Sequence, residues 1–545
     1  MTLNVPLTVR VGDRHITREV QALAFTEDAV GGIQSISFKV ARPLTELDAD
    51  LAAFSTVSIY DGRSAECIAQ GTLTDTGRSA TAGDGQVWEV TAFGPAQHAS
   101  DVPAPLVYID QQISDGWRQV DRNKRAVTID MSSLPSNSSD NSPDGIVAHF
   151  PSGTPLGTGD SVTLRYETIR ECGQYLARYS YDWDAGATDG DYRARVITSV
   201  DGSGGGAGGS TVTFDTGGGS NSDVVVTDFA NGRNVLDLVA DYTGAGVTPG
   251  NDSRWFCWYN IIIRARLVDQ DGTDITTGYT TDYVLAHQVV KDLLGRLLPA
   301  YDGANASVDT GAAHQIDALT FVDGATPAEI LDDLMGFEPG YRWTTGPDTT
   351  GGGYSFSWEA WPTTVRYEAT LDDGGSFPVS WQEVYDRVTV RWRDKRGRVR
   401  STRRTYADVG LPDPGLPNIR RAYLDVGDDI HSAAGAQRRG DNFLRDHNVP
   451  ANAGTLTVNR PVRDLQTGRM VEPFEIRAGE LIRVRGVESY PDALNASSSD
   501  GQTVFRIWSK TYASDGNTAT LELDSYSRTT ANAIAKLAKR RSRKR

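Results

Sequence analysis

Between Ala478 and Ser527 the apolar residues recur every second position: Ile482 and Val484, then Phe505 and Ile507, then Leu521 and Leu523. That period suits strands with one buried face and does not suit a helix. A polar loop separates the first run from the second, and Asp515-Gly516-Asn517 is a tight-turn signal between the second and third. An antiparallel meander is predicted. The same plan stands near the N-terminus, where TVSIYDG (Thr56–Gly62) leads to CIAQGTLTDTGRS (Cys67–Ser79), a Gly-rich turn at 82–85, and QVWEVTAFG (Gln86–Gly94). In each stretch a short strand and its Gly turn precede two longer strands, one carrying Trp88 or Trp508. The likeness is one of strand plan, and it points to an internal repeat.

Alternating patterns outnumber helical ones along all 545 residues, and the 56 glycines supply frequent turns, so a mainly β chain of about three or four domains is expected. Residues 3–100 read as a small barrel or sandwich, with a turn at Gly31-Gly32. Residues 106–280 carry short strands between Gly/Ser/Asp loops and read as an inserted, jelly-roll-like β-sandwich that folds by itself, bounded by Pro103-Ala-Pro105 and Gly278. From 281 to 374 the period changes. Tyr283–Leu298 has helical spacing and ends at Pro299, and Thr326-Pro-Ala-Glu329 is a capping box with Pro in the first turn, so a small α+β module is predicted. Residues 375–528 return to β-structure through a hairpin that turns at Asp394–Gly397, a helix over Ser432–Asn448, and the opening meander. Residues 529–545 form a basic helix or tail.

No run approaches the roughly 18 apolar residues of a membrane helix, and MTLNVPLTVRVG lacks a basic flank before an apolar core, so neither a membrane span nor a standard export signal is expected. The formal charge of −17 argues against general nucleic-acid binding. Positive charge is local: nine of the eighteen residues from Arg387 to Arg404, and seven of the last ten, are Lys or Arg.

Catalytic signatures for metallopeptidases, serine hydrolases and phosphate loops do not occur, and the seven histidines are dispersed. No catalytic residue, metal site or cofactor is expected, and the chain is not read as an enzyme. Cys67, Cys172 and Cys257 lack metal or redox spacing; Cys172 and Cys257 are read as buried thiols or as a pair within one domain. Gly204–Gly209 fits a dinucleotide pattern in form but opens no helix, Asp269–Asp274 reads as a hairpin turn rather than a calcium loop, and Arg439-Gly-Asp441 falls inside a predicted helix. In the inserted unit, Trp117, Tyr181, Trp183 and Tyr192 are candidate glycan contacts, since aromatic faces stack on sugar C–H surfaces. The alternative for these rings is a sandwich core or a protein interface.

REVQALAFTEDAVGGIQSISFKVARPL (Arg18–Leu44), the YDG turn, WEVTAFGPAQHASD (Trp88–Asp101), GFEPGYRW (Gly336–Trp343), YDRVTVRW (Tyr385–Trp392), AGELIRVRGV (Ala478–Val487) and LELDSYS (Leu521–Ser527) together resemble the tail hub proteins of long-tailed phages, called minor tail or baseplate hub proteins of siphoviruses. The resemblance runs from residue 3 to about 528, apart from much of 107–280. It implies two tube-like β-barrels per chain, 1–105 and 375–528, in a homotrimer of pseudo-sixfold symmetry at the distal tail tip of the virion. The partners it implies are the distal tail protein, the tape measure protein and other minor tail or receptor-binding proteins. DNA passes only in transit; host cell-wall glycan is a candidate partner of the insertion on the strength of its aromatic residues alone. The other reading of the residues is a glycan-binding or depolymerising surface protein centred on 106–280.

Overall fold

The computed structural model describes residues 6–525 apart from 41–53, 82–84, 102, 104–105, 112–117, 120–127, 131–144, 151–160, 171–173, 184–191, 201–210, 214–223, 230–231, 243–253, 277–282, 322–323, 348–352, 372–373, 381–383, 395–397, 412, 427–429, 431, 449–450 and 488–501. The protein is mainly β, multi-sheet and multidomain.

Its largest element is a fifteen-stranded sheet to which both ends of the chain contribute. In chain order its strands are β1 (Leu7–Val11), β2 (Arg14–His15), β3 (Val20–Asp28), β4 (Gly32–Val40), β5 (Thr56–Asp61), β6 (Cys67–Thr81), β7 (Gly85–Phe93), β8 (Val365–Thr370), β9 (Gly375–Ser376), β10 (Gly454–Val458), β11 (Val462–Asp464), β12 (Met470–Val471), β13 (Leu481–Arg485), β14 (Gln502–Ala513) and β15 (Thr518–Ser525). The first seven form one arm, ordered β1-β5-β6-β7-β4-β3, with β2 outside β1. The remaining strands form a second arm, ordered β8-β13-β14-β15-β10-β9, with β11 and β12 outside β8. Numbered within each arm, both orders are 1-4-5-6-3-2. The internal repeat read from two meanders is therefore a repeat of a six-strand unit. One pairing differs: β1 runs antiparallel to β5, whereas β8 runs parallel to β13.

Alternation places the apolar face of both arms in one continuous core. Val9, Phe25, Ile36, Phe38, Val57, Ile59 and Val90 of the first arm, and Tyr367, Leu456, Ile482, Val484, Phe505, Ile507 and Leu521 of the second, are all buried. The predicted Asp515–Asn517 turn closes the β14–β15 hairpin, with Gly516 and Asn517 at positive φ. Val365–Thr370, which the helical change of period groups with 281–374, is β8 of the large sheet.

Between the arms, strands from 106 to 266 form two antiparallel sheets. Arg254–Arg266 is central in one and pairs with Gln174–Trp183, Gly145–Phe150 and Leu106–Gln111; Gly232–Tyr242 is central in the other. Packing crosses residue 280. Leu319–Phe321 adds to Leu106–Gln111, and Ile109, Leu164 and Ile263 share a core with helices α1 (Ala286–Arg296) and α2 (Pro327–Phe337). α1 is shorter than its periodicity suggests, because Val284–Leu285 pairs instead with Gln315–Ile316. α2 starts at the predicted capping box: the Thr326 N–H donates to Glu329 Oε2 (2.9 Å), and the Glu329 N–H donates to Thr326 Oγ1 (3.3 Å).

The segment between β9 and β10, the counterpart of the tight β3–β4 turn, carries a separate lobe. Its strands are Arg387–Arg393, Val399–Thr405 and Arg421–Asp425, backed by α3 (Ala433–His447). Val388, Val390 and Trp392 face Ala436 and Leu444. Gly440, unfavourable in a helix by propensity, is where α3 crosses the sheet: a Cβ there would lie 3.2 Å from Val388 and 3.3 Å from Val390.

Candidate functional site

The two arms meet on one edge of β14. Its first half, Gln502–Arg506, pairs with β13, and its second half, Ser509–Ala513, pairs with β3; β15 holds the opposite edge. The change of partner falls at Ile507 and Trp508. Ile507 exchanges backbone bonds with Gly479 and Glu480, and the Ala29 N–H donates to the Trp508 carbonyl (2.8 Å). The β14–β15 register slips by one residue at Trp508, a bulge of the kind that bends a strand and turns its edge toward a new neighbour.

Cations hold this joint. Lys510 is fully buried; its Nζ lies 2.8 Å from Glu27 Oε2 on β3 and donates to the carbonyls of Phe474 (3.2 Å) and Ile476. Burial raises the Glu27 carboxyl, but Lys510 and Arg477 outweigh it and hold that group below the usual carboxylate range. Burial also draws the Lys510 ammonium downward against Glu27. Two carbonyls and a carboxylate around one nitrogen are a set of oxygens that suits an ammonium with three N–H donors.

On the other side of Trp508, Arg506 donates to the carbonyls of Gly479 (2.8 Å) and Pro362 (3.1 Å), and its guanidinium lies 4.6 Å from the Trp361 ring centre. Trp361 stacks on Trp508 at 5.7 Å. Arg342 reaches the same ring, donates to Glu359 (2.6 Å), and spans Ala29 of the first arm and Ala478 of the second (each 3.4 Å). The β3–β4 turn then docks on the strand Tyr341–Gly346: the Gly31 N–H donates to the Trp343 carbonyl, and Thr345 Oγ1 donates to the Gly31 carbonyl (2.6 Å). Gly32 has φ +76°, and a Cβ there would sit 2.0 Å from the Thr345 carbonyl oxygen. Sequence reading marks Gly31-Gly32 as a turn. The long-range role of that turn, and of Glu27, Lys510, Arg342 and Arg506, has no local signal, because each acts on a partner remote in sequence.

The conspicuous basic hairpin is organised differently. Arg387, Arg391, Arg400 and Arg404 pair with Asp386, Asp425, Asp394 and Asp441 near the surface. The Arg439-Gly-Asp441 triplet is used inside the fold. Arg439 donates to the Gly336 carbonyl (2.7 Å), Gly440 lies against the sheet, and Asp441 accepts two bonds from Arg404. Beside it Arg438 Nη1 meets His314 Nδ1 at 2.6 Å; burial, then that guanidinium, push His314 down to about 4. The Asp269–Asp274 stretch is a hairpin turn whose Asp269 carboxylate accepts from the N–H groups of Asp271 and Thr273.

Of the aromatic candidates, Tyr181 and Trp183 lie two apart on Gln174–Trp183, opposite Trp258 and Phe256, whereas Tyr192 begins a strand of the other sheet, opposite Tyr242. Trp117, Cys172, Gly204–Gly209 and the tail 529–545 lie outside the described residues. Cys67 begins β6, where its thiol faces the Ala69 carbonyl (3.6 Å), and Cys257 lies on Arg254–Arg266.

No protein-family model matches the sequence. No curated protein compared with it matches either. Among solved structures, the chain is similar to a tail protein from Neisseria meningitidis MC58, at 10% identity and TM-score 0.47, covering 97% of this chain and 98% of that one. It is also similar to the 43 kDa tail protein of prophage MuSo2 from Shewanella oneidensis, at 10% identity and TM-score 0.46 with 96% and 99% covered. A third is the prophage tail protein gp18 from Listeria monocytogenes, at 9% identity and TM-score 0.43 with 98% of each chain covered.

Proposed function

We propose that the chain is a structural protein of a phage tail, the trimeric hub that closes the distal end of the tail tube. The observation that carries this reading is the six-strand unit present twice, in order 1-4-5-6-3-2, with its copies joined edge to edge at β3 and β14. Two equivalent units per chain give six equivalent positions in a trimer, the number needed to stack on a sixfold tube. In this reading the distal tail protein sits above, receptor-binding and other minor tail proteins attach at the side or below, the tape measure protein ends in the channel, and DNA passes through. The acidic balance suits a passage that does not retain phosphates. Light scattering on the purified chain tests the reading: a mass of three chains is expected, and a monomer at every concentration removes it.

A second reading concerns the insertion. Tyr181 and Trp183 stand two apart on one strand, and aromatic residues at alternate strand positions suit stacking on host cell-wall glycan. Binding of the full chain to isolated walls, with and without Trp183→Ala, tests it; unchanged binding leaves that ring to a core or interface role.

A further inference from the structure

The repeated unit carries the same joint twice, and among the described residues one of the two is filled. In the first arm, Leu73 exchanges backbone bonds with Phe54 and Ser55 ahead of β5 (2.8 and 2.9 Å), as Ile507 does with Gly479 and Glu480 ahead of β13 (2.6 and 2.9 Å). The β6–β7 register slips at Thr74, as the β14–β15 register slips at Trp508. Thr74 thus stands in β6 where Trp508 stands in β14. Beyond the bulge, β14 receives β3 on the edge it shared with β13. The corresponding edge of β6, from Asp75 to Thr81, has no ladder partner among the described residues.

The counterpart of β3 can be read from the ladders. Ile36 pairs with Ala92 and Gly454 with Leu523, so Ser37 corresponds to Thr455, and their partners Ala24 and Ser376 correspond to each other. Phe25 then matches Phe377, Glu27 matches Val379, and Asp28 matches Ser380. Val379–Ser380 is extended and pairs with Ala451–Asn452, continuing the hairpin as β3 continues along β4. Among the described residues its other edge is open, and Gly375, Ser376 and Pro378 are exposed. Alternate residues of a strand address alternate edges, and the Ala29 N–H addresses β14, so the counterparts of Phe25 and Glu27 address the open edge. These are Phe377 and Val379, which have N–H groups. Pro378, which has none, addresses β10, where its carbonyl accepts from the Ala453 N–H (3.4 Å).

An open strand edge on one unit and an open edge of the complementary kind on the other are a head-to-tail pair. Within one chain they lie seven strand steps apart, roughly 34 Å of sheet. We propose that Ser376–Ser380 of one chain adds antiparallel to the β6 edge of the next copy of this chain, with Ser380 opposite Asp75 and Ser376 opposite Ser79, repeating between chains the β3–β14 joint made within one. The proposal rests on the ring reading and specifies the interface that closes it.

The test uses the full chain with Cys67, Cys172 and Cys257 changed to Ser. Asp75→Cys combined with Ser380→Cys puts two thiols at a non-hydrogen-bonded antiparallel pair, where Cα atoms about 4.5 Å apart lie within disulfide range. Oxidation is expected to give a covalent trimer on a non-reducing gel. Asp75→Cys with Ser376→Cys, four residues out of register, stays a single chain. In the natural cysteine background, Val379→Pro removes one outward N–H and is expected to shift the scattering mass from three chains to one, with the melting transition retained. A three-chain mass with no cross-link, or a Val379→Pro ring that persists, overturns the edge pairing and leaves the ring reading standing. A parent chain that is monomeric at every concentration overturns both.

Discussion

Two groups of cations in this molecule do opposite things. At the joint, Lys510, Arg506 and Arg342 are buried and each donates to two backbone carbonyls, with Glu27 and Glu359 beside Lys510 and Arg342, so each ties together segments from different parts of the chain. In the lobe, Arg387, Arg391, Arg400 and Arg404 keep part of their surface in water and meet carboxylates. The lobe is the region that stands out in the sequence, and the joint is the region on which the architecture depends. Charge density along a chain therefore says little about structural weight. What matters is how much water each charge has given up, since a buried ion left without its partner costs several kcal/mol and an exposed one very little.

The sharpest break in this contrast is Lys510→Met, which leaves Glu27 buried without its ion-pair partner, with only Arg477 and the Ala478 N–H to offset its charge. A loss of about 3–5 kcal/mol is expected in denaturant melts, and Glu27→Leu added to it should restore most of the loss. If the single change is silent, the joint does not depend on its charges. Next is Gly32→Ala, which meets both a positive φ and the Thr345 carbonyl; a loss of about 1–3 kcal/mol is expected from the strain, read from the same melts.

His314 belongs to the lobe's contact with the small module. Its folded value is depressed, so the unfolded chain binds its proton first, and stability should fall as pH drops from about 6.5 toward 4. Glu338, raised chiefly by burial, works the other way just above the usual carboxylate range, so it flattens the lower part of that window. Partial exposure of His314 keeps the slope below about 1 kcal/mol per pH unit. His314→Asn should reduce the slope, as melts at pH 7 and pH 5 would show. The smallest effect is expected for Arg391→Ala, whose partner Asp425 is exposed: within about 0.5 kcal/mol. A larger loss would mean that the lobe's surface pairs resemble those of the joint.

Much of the local structure was legible from residues. The two meanders, the Thr326–Glu329 cap and the Asp515–Asn517 turn all appear where expected. The helix in 432–448 forms despite Gly435 and Gly440, because Gly440 gives α3 its close approach to the lobe's sheet. Helix α1 is shorter than the helical spacing over Tyr283–Leu298, since Val284 and Leu285 satisfy helical spacing and strand pairing equally well, and a distant partner decides between them. In the insertion, where the sequence marks only short strands between Gly/Ser/Asp loops, Gln174–Trp183 and Gly232–Tyr242 are strands of ten and eleven residues. Of the aromatic candidates, Tyr181 and Trp183 stand in one sheet and Tyr192 in the other, a separation that composition alone does not mark. The joint itself gave no signal, as a single Lys or Glu in an alternating run looks the same whether it faces water or a buried partner.

By itself the sequence determined the strands of the two meanders and the turn between the last two, where α2 begins and that a plan occurs twice, because period, turn chemistry and capping act between residues a few positions apart. Only the tertiary structure decided that the repeat extends to six strands, that Val365–Thr370 belongs to it, and that β3 crosses to β14. Strand edges are made of the same N–H and C=O groups whatever the side chains, so no residue type announces its ladder partner. The choice falls to packing and burial between residues as remote as Asp28 and Ser509.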